Sequence, residues 1–128
     1  MHPNEQLVRK QVESFIAGDI PGWLSAVSEG LVVHIPEGHR LSGEYKGSQA
    51  FVETFIAKLM EITGGIQLEI HDVLASDGHA VGLYTITTQR DGTPYEWSHV
   101  NVYHFADGKI SEIWWVPADQ SKVAALLA

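Results

Sequence analysis

The most regular alternation of side chains falls between residues 95 and 117. Two alternating stretches are separated there by Ala106-Asp107-Gly108-Lys109, and Asp-Gly is a common turn sequence in β-hairpins. Because successive side chains of a strand point to opposite faces, every second residue shares a face. One face of the first stretch carries aromatic and polar side chains: Trp97, His99, Asn101, Tyr103 and Phe105. The pattern predicts two antiparallel strands.

The face that carries these side chains is too polar for a sealed core and too aromatic for bulk solvent. Apolar area with a few polar groups is typical of a ligand pocket, and Ile113 and Trp115 would extend this wall in the second strand. An amphipathic sheet with a wet outer face remains the alternative interpretation. In the predicted register, His104 lies on the face opposite His99.

The rest of the chain shows helical spacing first and strand-like runs afterwards. Helices are predicted over residues 3–17, over residues 21–27 and between Ser48 and Gly64. Strands are predicted over residues 31–35, 66–75, 80–90, 94–105 and 110–117. Residues 39–47 are predicted to form a loop, and a short helix is expected after Asp119. This order indicates an α+β fold in one domain, residues 1–128, with helices on one face of a curved, largely antiparallel sheet.

Composition narrows the classes of function. The formal net charge of -8 leaves no basic patch for a nucleic acid or an anionic membrane. The absence of cysteine excludes disulfides and thiolate chemistry. No apolar run reaches about 18 residues, and the first residues lack the pattern of a signal peptide. We expect a cytoplasmic protein without nucleic-acid or membrane partners, although a cysteine-free chain is also compatible with export.

Several histidines raise the question of a metal site. They are His34, His39, His71, His79 and His104. These residues are scattered over opposite strand faces, and no His-x-x-x-His pair occurs on a predicted helix. The sequence therefore predicts no metal site, and we expect a function without a cofactor.

Several short motifs occur in a characteristic order along nearly the whole chain. They are AGD at 17–19, HIPEG at 34–38, LSGEYKG at 41–47, RDG at 90–92, and DGKISEIW at 107–114 followed by Asp119. In this order the sequence resembles the SnoaL-like, ketosteroid-isomerase-related branch of the NTF2-like superfamily. The resemblance implies a cone-shaped sheet whose concave face is covered by N-terminal helices around a cavity. It implies no single activity, because the superfamily includes isomerases, polyketide cyclases, epoxide hydrolases, dehydratases and binding proteins.

The residues that the resemblance would require for steroid isomerisation are largely replaced. The general-base Asp would fall at Ile35, and the oxyanion-hole Tyr would fall at Gln11. The second oxyanion acid would fall near Asn101, whose amide can donate a hydrogen bond but is not an acid. Steroid isomerisation is therefore not expected, and the sequence leaves open whether the chain is an enzyme.

Polyketide-cyclase members of the branch carry an acid/base Asp beyond the last strand, and Asp119 matches that position. Beside Trp115 and Pro117 its carboxylate would be desolvated, which would raise its pKa toward that of a general base. Capping of the C-terminal helix is the competing role for Asp119. His99 and Asn101 complete the predicted catalytic set as groups that polarise a carbonyl or move a proton. A hydrogen-bonded core residue is the competing role for His99.

Seven apolar or aromatic residues form the predicted ligand-binding set: Tyr84, Trp97, Tyr103, Ile113, Trp115, Ile35 and Phe55. The leading hypothesis is a cofactor-free isomerase, cyclase or dehydratase that acts on a small apolar carbonyl compound. A binding protein with the same pocket and an assembly domain are the alternatives. The opposite face of the sheet carries Trp114, Val100 and Val102, and an apolar outer face usually has a partner, so a homodimer is expected there.

Overall fold

The computed structural model describes the whole chain, residues 1–128, as an α+β fold. The helices are α1 (Pro3–Ile16), α2 (Ile20–Ala26), α3 (Ser48–Phe51), α4 (Ala57–Thr63) and α5 (Gln120–Leu126). The strands are β1 (Val27–Ile35), β2 (Gly43–Lys46), β3 (Gln67–Ala75), β4 (His79–Arg90), β5 (Thr93–Ala106) and β6 (Lys109–Pro117). No helix combines the length and the hydropathy that are needed to cross a bilayer.

The six strands form one curved, unclosed sheet in the order β2-β1-β6-β5-β4-β3. Strand β1 runs parallel to β6, and all other neighbours are antiparallel. The turns Asp91-Gly92 and Asp107-Gly108 join β4 to β5 and β5 to β6, and all four residues have positive φ. Positive φ at both central residues is the requirement of the tight turns that suit the twist of a hairpin. The predicted α+β class and largely antiparallel sheet are confirmed.

The register of β5 matches the prediction. Trp97, His99 and Tyr103 are 4%, 1% and 0% exposed, whereas Ser98, between the first two, is exposed. His104 lies on the opposite face, where its ring contacts Trp114. The large side chains of β5 therefore face the helices, because burying each aromatic group is worth roughly 1.5–3 kcal/mol.

The structure corrects the prediction that residues 39–47 form only a loop. Gly43–Lys46 is an edge strand that pairs with the end of β1. Three of its four residues are exposed, so its backbone pairs without burying a side-chain face. Such an edge strand leaves no alternating hydrophobic pattern in the sequence. Strand β1 also begins at Val27, earlier than the predicted Leu31.

The helices cover the inner face of the sheet and complete the core. Their buried side chains include Val8 and Val12 of α1 and Leu59 of α4. A π-helical turn, Val52–Ile56, connects α3 to α4 in place of the uninterrupted helix that the sequence predicts. Such insertions often occur at functional sites, and here the turn carries two consecutive residues of the cavity described below.

Candidate functional site

A cavity lies between the helices and the inner face of the sheet. Thirteen of its 16 lining residues are hydrophobic, and the other three are Gln11, His99 and Asn101. The cavity has a volume of about 60 Å³. One water molecule needs roughly 10–15 Å³ of such volume, so the cavity can hold several water molecules or a small organic group.

Aromatic rings form a continuous wall on one side of this cavity. Trp23 stacks on Phe51 with ring centroids 5.9 Å apart, and Phe51 stacks on Phe55 at 5.1 Å. Phe55 meets the edge of Trp115 at 5.6 Å, and the Trp115 ring lies 4.4 Å from the imidazole of His99. A wall of this kind offers a large apolar contact area to a flat ligand.

Side chains along β5 form a chain of hydrogen bonds beside the cavity. Trp97 Nε1 donates to His99 Nδ1 at 3.1 Å, and His99 Nε2 lies 2.9 Å from Asn101 Oδ1. Asn101 Nδ2 donates to Tyr103 Oη at 3.1 Å, and Tyr103 Oη is bonded to Tyr84 Oη at 2.7 Å. The first four residues are two positions apart on one strand, so they share a face and lie within reach of each other.

Tyr84 reaches Tyr103 because Gly82 has no side chain. Gly82 pairs with Asn101 across β4 and β5, in the middle of the hydrogen-bonded chain. A Cβ atom at this position would overlap the hydroxyl group and ring of Tyr84. The glycine therefore leaves the room in which the phenol lies, a role that a strand glycine has where another group approaches closely.

The cavity and the hydrogen-bonded chain carry no net charge at neutral pH. Burial lowers the pKa of His99 to about 4, and the hydrogen bond to Asn101 offsets part of this effect. Burial raises the pKa of Tyr103 to about 12 and raises the pKa of Tyr84 still further. No Asp, Glu, Lys or Arg lines the cavity. The environment therefore favours an uncharged ligand, since a buried charge without a partner is costly.

Gln11 brings an unpaired hydrogen-bond acceptor to the cavity. This residue of α1 is 6% exposed, and no protein group donates to its Oε1 atom. A buried polar group without a partner costs roughly 1–3 kcal/mol, so a hydrogen-bond donor on a ligand would remove a penalty. The sequence identified Gln11 only as the residue that replaces the oxyanion-hole tyrosine of steroid isomerases, and Gln11 was not among the predicted site residues.

The structure places Asp119 outside the cavity, which corrects its predicted position in the pocket beside Trp115 and Pro117. Asp119 is exposed and caps α5, where its Oδ1 accepts from the Lys122 backbone N–H at 3.0 Å and from Ser121 Oγ at 2.7 Å. Both hydrogen bonds lower the pKa of Asp119, and the one from Ser121 has the larger effect. The prediction required a raised pKa. The carboxylate is solvated and is not among the groups that line the cavity.

The remaining predicted residues divide between the lining and the layer behind it. His99 and Asn101 of the catalytic set, and Phe55, Ile113 and Trp115 of the ligand-binding set, line the cavity. Four residues of the ligand-binding set are buried but do not line it, which corrects their predicted position: Tyr84, Trp97, Tyr103 and Ile35. Strand alternation identifies a face but not the depth at which each side chain ends.

Most of the lining that sequence reasoning missed comes from the helices. Its apolar members are Val12, Phe15, Trp23, Val33, Phe51, Ile56, Leu59, Ile66, Leu68 and Ile86. Helical spacing marked several of these residues as a buried stripe. The same spacing serves a filled core and a cavity wall, so it carries no signal that separates the two.

The outer face of the sheet carries a separate cluster of histidines and carboxylates. His34 Nε2 lies 2.5 Å from Glu112, and His34 Nδ1 lies 3.2 Å from Glu44. His104 Nδ1 lies 3.8 Å from Glu112, and the Trp114 ring contacts both imidazoles. Nowhere in the structure are three or more His, Asp or Glu side chains arranged to hold a metal ion.

Comparison with known families agrees with this fold. The family of SnoaL-like domains matches residues 8–113, and the chain belongs to this family. A search of curated proteins found no match.

Solved structures of similar chains share the fold over nearly their whole length. An NTF2-like protein of unknown function from Burkholderia pseudomallei has a TM-score of 0.90 at 24% identity, with 100% of this chain and 99% of that chain covered. TerC co-crystallised with polyporic acid has a TM-score of 0.88 at 22% identity, with 98% of each chain covered. A protein described as a SnoaL-like polyketide cyclase from Jannaschia sp. has a TM-score of 0.78 at 17% identity, with 100% and 96% covered.

Proposed function

We propose that the cavity binds a small, uncharged and mostly apolar molecule that carries at least one hydrogen-bonding group. The observation that carries this proposal is the lining itself, which has 13 hydrophobic residues and only three polar ones. None of the three is charged at neutral pH, because Gln11 and Asn101 are amides and burial lowers the pKa of His99 to about 4. Apolar area provides affinity, and the few polar groups orient the ligand.

The similar structures suggest a chemical class for this molecule. One of them was crystallised with polyporic acid, and another is described as a polyketide cyclase. Aromatic carbonyl compounds of polyketide type would match the rings of Trp23, Phe55 and Trp115 and would offer oxygen atoms to the amides.

A second candidate function is proton transfer on such a carbonyl compound, as in an isomerase, cyclase or dehydratase. It is favoured by the position of His99, a neutral imidazole at the cavity wall next to the amide of Asn101. A neutral imidazole can accept a proton while a nearby amide N–H stabilises the developing oxyanion. This function is placed second because both ring nitrogens of His99 already have protein partners.

Two neighbouring tryptophans allow a direct test of binding. Trp115 lines the cavity, whereas Trp114 lies on the outer face against His34 and His104. Titration with 1-indanone should give a saturable change in tryptophan fluorescence, and the charged analogue indane-1-carboxylate should give none. Trp115→Phe should reduce the change, leaving the part that Trp23 reports, and the matched control Trp114→Phe should keep the full change. Failure of a wider panel of uncharged aromatic ketones and phenols to bind would refute the proposal.

Deuterium exchange separates the enzyme from the binding protein. The α-protons of 1-indanone are followed by NMR in D₂O with and without the protein. Exchange above the uncatalysed rate that disappears in His99→Gln, but not in His104→Gln, would establish proton transfer at the cavity. Saturable binding without exchange of any ketone in the panel would leave the binding function alone.

A further inference from the structure

The hydrogen-bonded chain on β5 has a fixed direction because it begins at an indole. The Trp97 Nε1–H group can only donate, and it lies 3.1 Å from His99 Nδ1. His99 Nδ1 must therefore be an unprotonated acceptor. In a neutral imidazole the single proton then resides on Nε2, which lies 2.9 Å from Asn101 Oδ1 and donates to it.

This tautomer determines how the Asn101 amide is turned. With Oδ1 directed at His99, the Nδ2 atom faces Tyr103 and donates to its hydroxyl at 3.1 Å. The Tyr103 hydroxyl is then free to donate to Tyr84 Oη at 2.7 Å. An amide nitrogen has two N–H groups, and the second N–H of Asn101 has no protein acceptor although the side chain lines the cavity.

We propose that Trp97 is a positioning residue that sets the tautomer of His99, and thereby turns Asn101 so that its second N–H anchors an acceptor oxygen on the ligand. This inference rests on the proposed function and deepens it, because it names a carbonyl-like acceptor as the group that the cavity recognises. Trp97 acts from behind the wall: it is 4% exposed and does not line the cavity.

Replacement of Trp97 by Phe removes the fixed N–H donor with which this series of hydrogen bonds begins. His99 Nδ1 can then carry the proton, Nε2 can accept from a turned Asn101 amide, and Oδ1 can accept from Tyr103. The free N–H and the carbonyl oxygen of Asn101 exchange places in that arrangement. For a ligand that needs the original orientation, the apparent affinity falls in proportion to the fraction of molecules that keeps this orientation.

The first measurement needs no ligand. The nitrogen-15 NMR spectrum of imidazole-labelled protein distinguishes the two neutral tautomers of His99. We expect the Nε2–H form in the native chain and in the control Trp114→Phe, and a mixture of both forms in Trp97→Phe. An Nδ1–H form in the native chain would overturn the inference, as would an unchanged tautomer in folded Trp97→Phe.

The second measurement compares two probes of similar shape, 1-indanone with an acceptor oxygen and indene without one. One hydrogen bond to the ketone should make it bind about tenfold more tightly than indene in the native chain. Trp97→Phe should reduce this ratio by about twofold or more, and Trp114→Phe should not change it. Asn101→Leu should abolish the preference, and it tests the anchoring role of Asn101 independently of whether Trp97→Phe folds.

The outcomes separate this inference from the proposed function. Equal affinity of the native chain for the two probes would overturn the anchoring role of Asn101 while leaving binding intact. If neither these probes nor the wider panel of aromatic ketones and phenols binds, the proposed function fails and the selection of an acceptor oxygen fails with it. The NMR result decides the role of Trp97 in setting the tautomer in either case.

Discussion

Acidification should destabilise the folded chain through His99, and His99→Gln should remove that part of the pH dependence. Burial lowers the pKa of His99 from an ordinary value of 6.5 to about 4. Between these two pH values the unfolded chain binds a proton at His99 and the folded chain does not. The contribution of neutral His99 to the free energy of unfolding is therefore fully present above about pH 6.5 and is lost as the pH falls toward 4.

The size of the effect follows from the width of this pH interval. Each unit of pKa difference corresponds to about 1.4 kcal/mol, so the interval corresponds to a loss of about 3 kcal/mol by pH 4. A small domain has a free energy of unfolding of roughly 5–15 kcal/mol, so this loss would be a large share of the total. The physical cause is that the imidazolium cannot be solvated in a site where His99 is 1% exposed.

Urea unfolding at a series of pH values tests this reasoning. The free energy of unfolding is measured for the native chain, for His99→Gln, and for His104→Gln as a matched control on the half-buried outer face. The free energy of unfolding of the native chain, taken relative to that of His99→Gln, should fall by about 3 kcal/mol between pH 7 and 4. His104→Gln retains His99, so it should lose the same stability on acidification as the native chain. A difference between the native chain and His99→Gln that does not vary with pH would refute the assignment of a buried, neutral His99.

Three further predictions concern other parts of the molecule. Gly82→Ala should displace the Tyr84 hydroxyl from Tyr103 and lower the free energy of unfolding by about 1–3 kcal/mol, and unchanged chemical denaturation would contradict this. Asp119→Ala should lower the thermal midpoint slightly through loss of the α5 cap while leaving 1-indanone affinity unchanged, and a selective loss of affinity would return Asp119 to the site. We also propose a homodimer through the outer sheet face, which Trp114→Glu should dissociate in sedimentation velocity. A native chain that sediments as a monomer at tens of micromolar would refute it.

Local pattern was sufficient for the hairpin of β5 and β6 and for the orientation of its side chains. The period of a strand is two, and a shift by one residue would have exposed Trp97, His99 and Tyr103 together, so the hydrophobic effect selects one register. The Asp107-Gly108 turn joins the strands with positive φ at both residues, as its sequence predicts. The order of helices and strands, together with the motifs, was likewise sufficient for the α+β class.

Tertiary structure alone decided where the cavity lies and what surrounds it. Asp119 follows Trp115 by only four residues, yet one is a solvated helix cap and the other lines the cavity, because the chain leaves the sheet after Pro117. Gln11 enters the site from a distant helix through packing that no local pattern encodes. The edge strand β2 likewise depends on backbone pairing with β1. A linear pattern reports which face of an element is apolar, whereas a cavity is the space that remains when several such faces meet without filling it.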